Sequence, residues 1–319
     1  QPLYSGFRAI ELIVVMGALT HMFFLAGGRS RGVSTLAWFI AISSLFGLGW
    51  YFRNTTDLHS NAYPAAAAMG FVFCFSVFLT KNVNRSTIIL PLIVCAGCLV
   101  LGTSAGSAVS CLCGTAILLA RDRHGRTSIP RIVAVIALGV ALSPLLQYFV
   151  CEVLGRTEQE LRTLHGRTGV WEVYWNGFLA KPILGWGFPT GEKEAGAFGF
   201  ATTSSSHNAF VSILINTGTV GLCIMFFALS KIFLATVRAS NEGDPLAIPI
   251  LATLATATIN SITYPIFGSH WFWPTSSWLA VLAFAAVYVW PRSPQPPPWT
   301  DRRRMNSKAN AWERNPGDD

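Results

Sequence analysis

The chain has 319 residues, of which 52% are hydrophobic and 12% charged, with a formal net charge of +8. Charged residues make up about a quarter of a typical soluble protein, so a single soluble domain is excluded in favour of a protein embedded in a membrane. The positive charge does not point to nucleic acid, because the basic residues sit in short clusters between apolar runs and form no long basic face.

Apolar runs near 8–26, 33–52, 63–80, 87–103, 105–120, 129–150, 218–237, 246–263 and 271–290 predict about nine transmembrane helices. Backbone groups in lipid must be paired within the segment, so these runs are read as helices and the fold class as all-α and polytopic. The short, alternating segments of a membrane β-barrel are not seen.

The loops set the orientation. Arg29 and Arg31, then Lys81 and Arg85, then Arg121, Arg123 and Arg126, fall on one side by the helix count. Arg238 and the tail residues Arg292, Arg302, Arg303 and Arg304 fall there too, and basic loops mark the cytoplasmic side. The N-terminus is then expected outside. The first residue is Gln1, which is expected of a chain that has lost one or more leading spans.

This reading divides the chain into an N-terminal transmembrane bundle (1–150), an outer loop (151–217), C-terminal transmembrane helices (218–290) and a basic, Pro-rich tail (291–319). The tail composition predicts disorder and attraction to anionic lipid. Cys74, Cys95, Cys98, Cys111, Cys113 and Cys223 lie in apolar runs and read as packing residues, not as a disulfide framework or a metal site. Cys151 alone stands near a membrane edge. The small-residue stretch Gly102–Ser107 predicts a tight helical hairpin on the outer side, with the wall of an outward-facing cavity as the alternative.

The outer loop is the long polar interruption, with mixed charges that nearly cancel. Within it, Trp171, Trp175 (or Tyr174) and Phe178 recur at helical spacing over 168–181. Thr168 is the expected N-cap and Pro182 the stop. The aromatic residues suit a helix lying at the outer membrane surface. Arg167 precedes this helix. A helix N-terminus carries free N–H groups and partial positive charge, and an arginine beside it suits phosphate. The alternative is a solvated or headgroup-bound arginine.

Gly185, Gly187 and Gly191, with Pro182 and Pro189, predict turns, because the strand and helix that flank a phosphate-cradling glycine loop are missing. Residues 191–206 read as a mobile segment able to cover a site. Ser205 or Ser206 is the expected cap of a helix starting near His207, and Gly218 the expected end of that helix. His207 would then sit in the first helical turn, where the dipole favours the neutral base; a polar cap residue is the plainer alternative. The His, Cys, Asp and Glu residues show no metal-ligand spacing, and no GxSxG elbow is present.

The stretches GRTGVWEVYWNGFLAKPILGWGF and SHNAFVSILINTGTVGL combine an Arg167-Thr168-x-x-Trp171, a Pro182-x-x-Gly185-x-Gly187 and a His207-Asn208 that opens an apolar helix. Over roughly 164–225 the chain resembles the family of bacterial O-antigen ligases and polymerases, closest to the exopolysaccharide polymerases. The resemblance implies a helical GT-C-type membrane fold with its large loop in the periplasm. It implies an enzyme of the bacterial inner membrane that moves a glycan from an undecaprenyl-diphosphate carrier to an acceptor hydroxyl, on a glycan or a lipid-linked saccharide, with no cofactor or metal.

The same resemblance implies that Arg167 binds the donor diphosphate and that His207 orients or deprotonates the acceptor. Trp171, Gly185, Gly187 and Asn208, the rest of the signature, are implied to contact substrate. Family members often carry a basic residue where this chain has Ala105, so Arg162 and Arg156 become candidates for the second diphosphate contact. The partners expected are the lipid-linked donor, the acceptor, membrane lipids and other polysaccharide assembly proteins. Two competing readings are a transporter of lipid-linked saccharides, with Glu11 and His21 as the mid-helix candidates, and an inactive structural subunit of an assembly complex.

Overall fold

In a computed structural model, the residues described are 2–53, 61–80, 84–102, 104–120, 167–188, 191–192, 194, 206–267 and 273–290. They form nine helices and no strand: α1 Pro2–Leu25, α2 Arg29–Arg53, α3 Ala62–Thr80, α4 Arg85–Leu101, α5 Ala105–Ala120, α6 Arg167–Ala180, α7 Ala209–Asn241, α8 Ala247–Asn260 and α9 Trp273–Tyr288. Eight of the nine expected spans meet one of these helices. The ninth, 129–150, and the tail from 291 lie outside the described residues, as do Arg156 and Arg162.

Three helices, α2, α3 and α7, are long and apolar enough to cross a membrane by length and composition, and α1, α4, α5, α8 and α9 contain shorter apolar stretches. The packing is that of a membrane protein. Small residues line the closest helix contacts, Phe23, Phe73 and Phe284 fill the core, and many other large apolar residues face outward. The hub is α3, which packs against α2, α4, α5, α8 and α9. Of its apolar stretch, 78% is buried, against 11% for α7 at the edge. Ala65, Ala66, Ala67, Ala68 and Gly70 make this possible, since they let neighbouring backbones approach closely. A Cβ on Gly70 would stand 2.5 Å from Cys95 Sγ and 2.8 Å from Ile40 Cγ2. Meanwhile Phe24, Phe46, Ile93, Val100, Ile224, Phe227 and Leu234 are exposed. A soluble monomer rarely shows so much contiguous apolar surface. Cys74, Cys95, Cys98 and Cys111 are buried free thiols, as expected of packing residues, whereas Cys223 is exposed.

The two ends of the bundle are tied differently. At one end Arg29 Nη2 pairs with Asp244 Oδ2 at 2.7 Å and donates to the Tyr288 carbonyl at 2.7 Å. Tyr288 Oη in turn donates to the Phe23 carbonyl, and Trp290 Nε1 donates to Thr236 Oγ1 at 3.1 Å. This clasp gathers the end of α1, the start of α2, the α7–α8 loop and the end of α9. The basic-loop count had put these on one side.

At the opposite end Tyr63 Oη donates to the Leu101 carbonyl, Asn260 Nδ2 to Ser107 Oγ, and the Ala209 amide to the Ser261 carbonyl. The starts of α3, α5 and α7 therefore meet the ends of α4 and α8. The Gly102–Ser107 stretch is a close joint here, because Gly106 lies directly against Thr263 and Gly102 against Pro64. Here α4 and α5 each pack on α3 and barely on each other, so the joint is not the tight hairpin expected.

Asp244 has no exposed side-chain surface, while Arg29 is 45% exposed. Arg29→Ala would take the ion-pair partner from that buried carboxylate, which also accepts from the Leu246 amide at 2.9 Å. We expect it to destabilise the protein by about 2 kcal/mol, the scale of a hydrogen bond to a charged group, read as a lower melting temperature in detergent. Asp244→Asn should cost less, since it removes the buried charge together with its pairing.

Candidate functional site

The site is built on a break in a helix. At Gly218 (φ 66°, ψ −163°) α7 leaves helical geometry and resumes at once. The expected helix end is therefore a kink between two helical halves, and the predicted span 218–237 is the second half. A break frees carbonyls on one side and amides on the other, and apolar surroundings require that they be paired.

The Pro182–Gly187 turn pairs them. The Trp186 and Gly187 amides donate to the Ile215 and Asn216 carbonyls at 2.8 and 3.0 Å. The Thr219 and Val220 amides donate to the Pro182 and Ile183 carbonyls at 2.9 and 3.3 Å. Only glycine allows so close an approach at Gly185 (φ 67°), where a Cβ would sit 2.6 Å from Ile215 O and Thr217 N. Gly185 is thus committed to packing. At Gly187 the same position opens onto free space.

The turn also anchors α6 against the first half of α7. Tyr174 and Phe178 pack on Ile215, bordered by Val170, Trp186, Val211 and Leu214. Tyr174 is the member of the expected aromatic face that is buried. Trp175 turns outward, 51% exposed, with Leu179 beside it. Trp186 Nε1 donates to the Gly177 carbonyl at 2.8 Å, and Lys181 Nζ lies 4.1 Å from the Trp186 ring centroid. The helix begins at Arg167 itself, so Thr168 is within it and is not its cap.

At the head of α7 the cap is Asn208, whose Oδ1 accepts from the Phe210 and Val211 amides at 2.9 and 3.2 Å. Ser206 is not the cap, and Ser205 lies outside the described residues. His207 therefore precedes the helix instead of lying in its first turn. It adopts φ 51°, the single positive value among described non-glycine residues. A left-handed L-residue costs about 1–2 kcal/mol and persists where its surroundings over-determine it.

They do so here. The Ser206 carbonyl accepts from Trp171 Nε1 at 2.8 Å and the Ser206 amide donates to Glu192 Oε1 at 3.1 Å. Ser206 Oγ donates to the Asn208 carbonyl at 3.0 Å, and the Ala209 amide donates to the Ser261 carbonyl at 2.8 Å. Four elements thus converge on the residues flanking a half-buried histidine: α6, the 191–192 turn, α7 and the end of α8.

The sequence-predicted residues are brought together unevenly. Trp171 and Asn208 both support the His207 elbow. Arg167 opens α6 four residues before Trp171, so its backbone lies one turn from the residue that reaches the elbow. Of the segment expected to cover the site, Gly191 and Glu192 dock on α7. The Gly191 amide donates to Asn216 Oδ1 at 2.7 Å, and Asn216 Nδ2 donates to the Ser212 carbonyl at 2.8 Å.

Glu192 was not singled out by sequence. It was one of several glutamates in a loop of mixed charge, and no spacing rule links it to Ser206. Burial pushes its carboxyl above the ordinary range, while hydrogen bonds from Ser206 and Ser212 pull it back.

An arrangement of this kind fixes the backbone of a half-buried histidine next to the first turns of α6. Residues 90–226, from α4 through the break in α7, match the family described as O-antigen ligase. No curated protein matches the chain.

Proposed function

We propose, since residues 90–226 make the chain a member of the O-antigen ligase family, that it transfers a glycan from an undecaprenyl-diphosphate carrier to an acceptor sugar hydroxyl at the periplasmic face of the bacterial inner membrane. Polymerase and ligase differ in the acceptor, and the resemblance favours a polymerase. The nine spans and the GT-C-type fold belong to the same proposal.

The observation that carries the reading is the left-handed His207, pinned on both sides at the end of the bundle opposite the Arg29–Asp244 clasp. In the transfer the acceptor oxygen attacks the anomeric carbon and its O–H proton passes to His207. The bond from that carbon to the diphosphate oxygen breaks on the opposite face, with inversion. A hydroxyl is a weak nucleophile, and a positioned base is worth about 10²–10⁴-fold. The charge that develops on the leaving diphosphate calls for fixed donors. Arg167 and the first amides of α6 are the donors we assign to that role, and neither task requires a metal. Arg162 and Arg156 remain candidates for a second contact, as do Gly187 and Trp171 for the glycan.

The test is polymer length in cells carrying Arg167→Ala or His207→Ala at wild-type protein levels. Both variants should lack high-molecular-weight polysaccharide and accumulate lipid-linked repeat units on the outer face. Normal polymer from both would refute the assignment, and accumulation on the cytoplasmic face would mark a transporter instead.

A further inference from the structure

Glu192 is the acidic group that the proposed transfer leaves unused. It stands on a short turn fixed to α7 by the 2.7 Å bond from the Gly191 amide to Asn216 Oδ1. From there its carboxylate takes the Ser206 amide at 3.1 Å, and the hydroxyls of Ser206 and Ser212 lie within hydrogen-bond reach. Ser206 is the residue before His207, so the acid holds the entrance of the strained elbow and stands one residue from the imidazole's backbone.

A clamp alone needs no charge. Glutamine in this position would accept the same amide without the cost of desolvating an ionised group, a cost that burial makes real here. A negative charge becomes useful once the neighbouring histidine takes a proton. The imidazolium then gains a counter-charge that was fixed before the reaction began, and nothing has to reorganise at that moment.

We infer that Glu192 is a positioning residue of the transfer site, holding the Ser206–His207 elbow through its bond to the Ser206 amide and keeping a fixed negative charge at the residue before His207 as His207 accepts the acceptor's proton. Glu192 itself gains no proton in this step. The inference rests on the glycan-transfer reading and deepens it.

Three variants test it: Glu192→Gln, Glu192→Asp and His207→Ala. Each is purified in detergent and assayed with undecaprenyl-diphosphate-linked saccharide extracted from the producing cells. Glu192→Gln keeps the shape and the amide acceptor, so it should melt within a few degrees of the wild type. Its kcat should fall by roughly 10- to 100-fold, the scale of losing a residue that supports a catalytic group, with KM nearly unchanged. Glu192→Asp, which keeps the charge, should recover part of the loss.

Wild-type kcat in Glu192→Gln would overturn the inference. So would a loss of kcat accompanied by an equal collapse in melting temperature, which is the mark of a structural role. The reading beneath it fails separately: activity in His207→Ala would refute the transfer mechanism, whereas an inactive His207→Ala beside a fully active Glu192→Gln would refute only the role given to Glu192.

Discussion

Replacing His207 by glycine is expected to abolish polymer while leaving the protein at least as stable as before. The expectation follows from its φ of 51°. An L-residue pays about 1–2 kcal/mol for that conformation and glycine pays almost nothing. Glycine also loses more freedom on folding, which offsets part of the gain, so a net change of about 0–1 kcal/mol in favour of the variant is expected.

His207→Ala removes the same imidazole but keeps the strain, and should be the less stable of the two. Activity should fall by about 10²–10⁴-fold in both, the usual contribution of a positioned acid–base group. Melting curves in detergent, read against polymer length in cells, separate the two effects. If His207→Gly proved less stable than His207→Ala, the left-handed elbow would be wrong. If it made normal polymer, the imidazole would not be the base.

The second large effect is expected at Gly218. Its φ of 66° with ψ of −163° lies in a region that is essentially restricted to glycine. A Cβ there would collide with the Ile183 carbonyl and stand 2.7 Å from the Gly185 amide nitrogen. Gly218→Val must therefore push the Pro182–Gly187 turn away from α7. Four backbone bonds go with it, from Trp186 and Gly187 on one side and from Thr219 and Val220 on the other.

Each backbone group left unpaired in apolar surroundings costs about 1–3 kcal/mol, so losing these four bonds should consume most of a typical domain's margin of about 5–15 kcal/mol. The variant should disappear from the folded membrane fraction and become protease-sensitive in the outer loop. Gly97→Ala is the control. That glycine lies on an exposed face of α4 with open space around a new Cβ, so the change should be neutral or mildly stabilising. Normal levels of Gly218→Val would mean that the break and its turn are not coupled.

Both results depend on contacts between residues far apart in the chain, and that marks what could be read in advance. Hydropathy is a local property, and in lipid a long apolar run has few options besides a helix. So α1 to α5 and α7 to α9 lie where the apolar runs are. Which loops share an end of the bundle was legible for a similar reason, since the helix count groups them without reference to packing. The Arg29–Asp244 clasp gathers loops that this count had already grouped.

The cap of α7 was less legible. Ser206 and Asn208 are both good caps by type, and the bond from the Ala209 amide to the Ser261 carbonyl sets where the helix begins. The shift of two residues moves His207 out of the helix and into a strained turn.

Composition and the apolar runs determined by themselves that this is a helical membrane protein, and the Arg167, Trp171 and His207-Asn208 signature set the candidate residues in its long polar segment. Only the tertiary structure decided three further things: that Gly218 is a kink and not an end, that the Pro182–Gly187 turn completes its hydrogen bonds, and that Glu192 stands behind Ser206. The physical reason is the same in each case. A freed backbone group or a buried carboxylate must find its partner in space, and the partner's place in the sequence leaves no periodic trace.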